Sequence, residues 1–180
     1  QSYKTVTSSD ECARLKVSVE FKPTDEKSRF SFIPTTAAAI LLADAVGEPN
    51  FGLTLDFGHL LAAGENPAHS VSMTASRNLL FGLQLGDGHS RLAAEDGLMF
   101  ASVHPSAAID LVGQLRACAY AGVVYFDTFP LNENPLLEAA RNVAVFRDIL
   151  SRVIDADTDG SLARARASRD PFPGLRLTTH

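Results

Sequence analysis

Four polar residues stand where apolar runs end: Glu20, Asp56, Gln84 and Asp127. A carboxylate at such a place is costly to bury unless it is paired or bound to a cation. Any one of the four could simply cap a loop or a helix. All four together are better explained by a shared task. Three carboxylates and an amide oxygen form an all-oxygen set suited to a hard divalent cation such as Mg²⁺ or Mn²⁺.

Elements able to position such a set are visible in the chain. Strands are expected at residues 17–21, 52–56, 80–85 and 123–127, each followed by a helix-compatible stretch. Helices are expected near 35–46, stopped by Gly47 and Pro49, then at 67–75, after Pro105, and from Pro135 to about Val153. Phe57-Gly58-His59 reads as a connection, and residues 86–97 as a long polar loop. The helix after Pro105 carries Ala108, Leu111, Val112, Leu115 and Cys118 on one stripe. Strands alternating with helices in this way imply an α/β chain with a parallel sheet and right-handed crossovers. In a parallel barrel the polar strand ends would meet on the carboxyl-end face. Four βα units alone do not separate half a barrel from an open doubly wound sheet. No Gly-x-Gly-x-x-Gly turn follows any strand, which leaves a dinucleotide site without support.

Hydrophobic residues make up 46% and charged residues 21% of the 180, a globular composition. The net charge of −5 weighs against a nucleic acid or an anionic membrane as partner. No apolar run approaches the ~18 residues that would cross a bilayer. Cys12 and Cys118 are far apart and fit no ligand spacing, so both read as reduced thiols of a cytoplasmic protein. The chain begins at Gln1 with no charged-then-apolar leader and reaches its first strand by Val17, as a piece cut from a longer protein also would.

The residues carry a collinear resemblance. Glu20-Phe21-Lys22-Pro23 resembles the Glu-x-Lys-Pro motif of xylose isomerases. Asp56-Phe57-Gly58-His59, with Ala63-Gly64-Glu65-Asn66 and Pro67-Ala68-His69, is similar to the next metal-binding segment of that family. Phe81-Gly82-Leu83-Gln84-Leu85 and Phe126-Asp127-Thr128-Phe129-Pro130 are similar to the two strands that follow. The resemblance spans residues 16 to about 150. It implies a (β/α)₈ TIM barrel of xylose-isomerase type, represented by about four βα units that would be strands five to eight. Residues 1–154 would be the C-terminal half of the barrel and 155–180 a tail. In that tail Asp155-Ala156-Asp157-Thr158-Asp159-Gly160 opens like a calcium loop, but Arg166 stands where a bidentate Glu is needed, so it reads as an acidic turn.

The resemblance also implies roles. Glu20 and Asp127 would ligate a substrate-binding metal (Mn²⁺, Mg²⁺ or Co²⁺), joined by Asp56 and Gln84, and His59 would serve a second metal or the substrate. Asp96 is the better candidate for a second-metal carboxylate, with Asp87 and Glu95 in reserve, because Ala94 interrupts the family's Asp-x-Asp. Gln84 also departs from the family, which has Asp or His there. Lys22 would hold the sugar oxygen, and Glu20-x-Lys22 places both side chains on one strand face. His89 and Arg91 could reach substrate hydroxyls or simply be solvated.

The implied activity is interconversion of an aldose and a ketose by hydrogen transfer between C1 and C2, with Lys22, Glu20 and Asp127 as catalytic residues. The competing activity is that of a ketose 3-epimerase, which would pair Glu20 with Asp127 as acid and base. A third reading is a non-catalytic barrel fragment. Half a barrel leaves two sheet edges open, which points to a homo-oligomer or another partner half.

Overall fold

The computed structural model describes residues 15–25, 30–91, 94 and 96–168. Cys12, Glu95 and residues 169–180 of the expected tail lie outside them, as does the side chain of Arg166. Four strands, β1 (Val17–Glu20), β2 (Phe51–Asp56), β3 (Leu80–Leu85) and β4 (Val123–Phe126), form one sheet in the order β1-β2-β3-β4. Every neighbouring pair is parallel, and β1 and β4 are the edges.

Helices make the crossovers, and local chemistry sets most of their ends. Thr35 caps α1 (Thr36–Val46) by accepting from the Ala38 N–H. Gly47, at φ 67°, ends it in the left-handed conformation that glycine adopts without strain. Asn66 and Pro67 start α3 (Pro67–Ala75), and Asn134 with Pro135 starts α5 (Pro135–Thr158). The helix α4 (Pro105–Ala117) has no cap from its own N-cap residue, His104. Asp87, just beyond β3, takes that place: its Oδ2 accepts from the backbone N–H groups of Val103 and His104, each at 2.9 Å.

The core lies between the outer sheet face and these helices. Leu53 and Leu55 of β2, Leu83 and Leu85 of β3, and Leu111 and Val112 of α4 are all buried there. An aromatic group of Phe57, Phe100, Phe126 and Phe146 ties the loop after β3 to α5, with ring centroids 5.7 to 6.4 Å apart. Buried Asn142 of α5 accepts from the Phe100 N–H at 2.9 Å and so fixes the same loop.

Three expectations need correction. Phe57-Gly58-His59 is not a connection but the start of the short helix α2 (Phe57–Ala62), because the Asp56 side chain accepts the His59 N–H at 2.8 Å and nucleates a helix directly at the strand end. The last long helix does not stop near Val153. It runs to Thr158, so the acidic run from Asp155 is mostly helix rather than turn, held inward by buried Val153 and Ala156. It therefore crosses position 154/155 without a break, and a further helix α6 (Ser161–Ser168) follows. Finally, Asp87 is no free acceptor in reserve for a metal. It is fully buried, and besides the two bonds above its Oδ1 accepts from the Gly88 N–H at 2.8 Å and meets His104 Nδ1 at 2.9 Å.

No helix among the described residues is long and apolar enough to cross a membrane.

Candidate metal centre

Side chains alternate along a strand, so the polar strand-end residues leave the core on the face opposite Leu53, Leu55, Leu83 and Leu85. Ser18 and Thr54 mark this inner face by bonding hydroxyl to hydroxyl at 2.7 Å. A register shift in the β2–β3 pairing, between Leu53 and Thr54, then decides what lies beside what. Leu53 pairs with Leu80 but Thr54 with Gly82, so Asp56 lies opposite Gln84, and Gln84 opposite Tyr125 of β4. An unbroken register would have put Leu83 opposite Asp56 and sent Gln84 to the other row.

The centre of the arrangement is His59. It is almost fully buried, held by its place on the first turn of α2. Its Nδ1 lies 3.2 Å from Glu20 Oε1 and 3.7 Å from Asp56 Oδ1, and its Nε2 lies 3.2 Å from Asp96 Oδ2. Lys22 Nζ reaches the same Asp96 oxygen from 3.8 Å. His59 thus gathers Glu20 of β1, Asp56 of β2 and Asp96 of the loop after β3, and Lys22 sits on the rim. The hydrogen bond from His59 is the main reason the Asp96 carboxyl is held below the usual carboxylate range, assisted by the Lys22 charge against the opposing effect of partial burial.

Burial pushes the Asp56 carboxyl up to about 6, against the lowering pull of His59 and its backbone N–H, and the negative charges of Glu20 and Asp127 add to the rise. Asp127 follows β4 directly and stays in the ladder through its N–H to Leu85 O at 2.9 Å. Its Oδ1 accepts from the Tyr125 hydroxyl at 3.3 Å. The Asp127 charge is the first cause that holds the Tyr125 phenol above its ordinary range, with Glu20 and Asp56 contributing further. Tyr125 was not singled out in the sequence because Val-Val-Tyr-Phe reads as core strand. Its spacing of two from Asp127 was the available signal, since that places both on one face.

Two buried polar atoms of this centre have no hydrogen-bond partner, His59 Nδ1 and Gln84 Oε1. If Nε2 carries the imidazole proton and donates to Asp96, then Nδ1 presents a lone pair toward two carboxylates. Acceptors facing acceptors with no donor between them repel, unless a proton or a metal cation joins them. Among the described residues no three His, Cys, Asp or Glu side chains form a ready-closed metal cage. The donor chemistry nevertheless fits a hard divalent cation: a buried amide oxygen without a partner beside a buried carboxylate that resists ionisation.

The remaining expected residues lie apart from this group. His89 and Arg91 are exposed on the loop. A cavity beside the centre is lined by Gly97, Leu98, Phe129, Asn134, Glu138 and Arg141 among others, and not by Glu20, Asp56 or His59.

No family model matches the chain. A xylose isomerase of Streptomyces lividans is 29% identical to it over 117 residues, 64% of this chain and 29% of that protein. The structure of a xylose isomerase domain protein from Alicyclobacillus acidocaldarius matches with a TM-score of 0.62 at 19% identity, over 77% of this chain and 51% of that one. The chain is xylose-isomerase-like. Its four βα units have the fold of a partial (β/α)₈ barrel of that type. A D-tagatose 3-epimerase-like protein has the same fold, with a TM-score of 0.59 at 18% identity over 78% of this chain and 48% of that one. This xylose-isomerase-like chain therefore spans about half the length of the solved structures it matches, and the match covers less than a third of the curated relative.

Proposed function

We propose that the chain is the metal-binding half of a sugar isomerase that interconverts an aldose and a ketose by moving hydrogen between C1 and C2. The observation that carries this is the convergence on His59 of Glu20, Asp56 and Asp96, beside the partnerless oxygen of Gln84. Glu20, Asp56, Gln84 and Asp127 would hold a divalent cation (Mn²⁺, Mg²⁺ or Co²⁺), and His59 with Asp96 would serve a second. When bound, the cation supplies Lewis-acid polarisation of the sugar carbonyl.

The chain's own side chains do the rest. Lys22, whose ammonium is tethered toward the centre by Asp96, donates to an oxygen of the open-chain sugar. In the proton-transfer version of the reaction, Glu20 or Asp127 takes the proton from one carbon and returns it to the neighbouring carbon, while the hydroxyl proton of the first carbon passes to the former carbonyl oxygen. The substrate is a small sugar, and neither nucleic acid nor membrane is a partner. A homo-oligomer is the proposed assembly, since the edge strand β4 and the start of α5 expose Val123, Leu136 and Leu137.

Titration of the full-length protein with Mn²⁺ tests the assignment. Glu20→Gln removes the negative charge that this side chain brings to the site, and the affinity is expected to fall at least about tenfold. Equal affinity in the two proteins removes Glu20 from the ligand set.

Epimerisation at C3 of a ketose is the second reading. Glu20 on β1 and Asp127 after β4 stand on opposite edges of the sheet, as an acid and a base on two sides of a sugar would. The isomerase reading predicts that a ketose turned over in D₂O gains no deuterium at C3. Deuterium at that carbon, read by proton NMR, would replace it with the epimerase.

A further inference from the structure

Asp127 has no fold-imposed orientation of the kind that holds Asp56. Asp56 is buried and capped onto a helix N-terminus, whereas Asp127 is half-buried at the sheet's open edge. What its carboxylate has is the Tyr125 hydroxyl, which donates to Oδ1. Tyr125 is placed for this by two independent features. It shares the inner face with Asp127, two residues on, and the β3–β4 register sets it opposite Gln84, the residue with the partnerless buried oxygen. Asp56, Gln84 and Tyr125 therefore form one row across three adjacent strands, and Asp127 follows two residues beyond Tyr125.

We propose that Tyr125 is a positioning residue that holds one carboxylate oxygen of Asp127 and leaves the other free for the cation. This rests on the reading of Asp127 as a metal ligand. A carboxylate with one oxygen engaged by a hydroxyl has lost most of its freedom about the terminal torsion, so less entropy remains to be lost when a cation binds. The phenol is suited to the task because it donates one proton and carries no charge of its own. A lysine in its place would compete with the cation for the carboxylate.

The test is a double-mutant cycle read by Mn²⁺ binding, with electron paramagnetic resonance of free Mn²⁺ as the signal. The full-length protein is compared with Tyr125→Phe, Asp127→Asn and the double variant. Tyr125→Phe is expected to weaken Mn²⁺ binding about tenfold. Its thermal midpoint is expected to stay within about 2 °C, because the ring is half exposed and keeps its packing. In the Asp127→Asn background the same change is expected to alter affinity less than twofold, since the hydroxyl acts through Asp127. Wild-type affinity in Tyr125→Phe overturns the proposal while leaving Asp127 a ligand. A full tenfold loss in the Asp127→Asn background also overturns it, by showing that the hydroxyl acts elsewhere. Wild-type affinity in Asp127→Asn, or no Mn²⁺ binding by the wild type, removes the ligand reading, and the positioning role falls with it.

Discussion

Asp56→Asn is expected to abolish high-affinity Mn²⁺ binding and at the same time to stabilise the metal-free protein. The two effects have one cause. Asp56 is 5% exposed, and burial raises its carboxyl from 3.8 to about 6. A raised acid pKa means that the folded state holds the proton more tightly than the unfolded chain. The neutral form's contribution to stability is therefore fully present below pH 3.8, is lost as pH rises through about 6, and stays lost above that. Each pKa unit corresponds to about 1.4 kcal/mol, so the cost of ionising Asp56 at neutral pH is roughly 1–3 kcal/mol. Asparagine keeps an oxygen to accept the His59 N–H that starts α2, yet never ionises. Urea unfolding in EDTA at pH 7.5 is expected to show a gain of about 1–2 kcal/mol, shrinking as the pH is lowered toward 4. Mn²⁺ affinity is expected to fall by about a hundredfold or more, because under the proposed assignment a cation would repay the burial of this charge. A variant that is destabilised, or that binds Mn²⁺ as before, would show that Asp56 is there for architecture.

Asp87→Ala is expected to be the most damaging single change to the fold. Asp87 is fully buried, and its two oxygens serve the N–H groups of Gly88, Val103 and His104 and the His104 ring. Alanine would leave these donors without a partner in a site from which water is excluded and would remove the negative group at the amino end of α4. A loss of about 3–5 kcal/mol is expected in urea, a large part of an ordinary domain's stability. Asp87→Asn keeps one acceptor oxygen and is expected to lose about half as much. Mn²⁺ affinity separates the two acidic residues: in Asp87→Asn it is expected to stay within about twofold of the wild type, because a carboxylate already engaged by four donors contributes nothing to a cation. A large drop in affinity at preserved stability would return Asp87 to the ligand set.

These two aspartates follow two successive strands of the same sheet, Asp56 ending β2 and Asp87 standing two residues beyond β3, yet their surroundings differ. Nothing in their immediate sequence distinguishes them. What does is which backbone donors the tertiary fold brings to each. Asp87 meets the loop after residue 98, which returns to it through an antiparallel bridge, whereas Asp56 meets one N–H and two other carboxylates.

Much of the architecture could be read from the chain alone. The short apolar runs ending in Glu20, Asp56 and Asp127, with helical stretches between them, point to parallel βα units, because the connection lengths admit little else. Residue type also determined that oxygen donors would collect at one end of the sheet. Tertiary structure alone decided how those donors are arranged. The shift between Leu53 and Thr54 turns Gln84 toward Asp56, and the immediate start of α2 puts the His59 ring between Glu20, Asp56 and Asp96. Both depend on pairings between segments distant in sequence, where one residue of slip exchanges one sheet face for the other, and no local pattern encodes that choice.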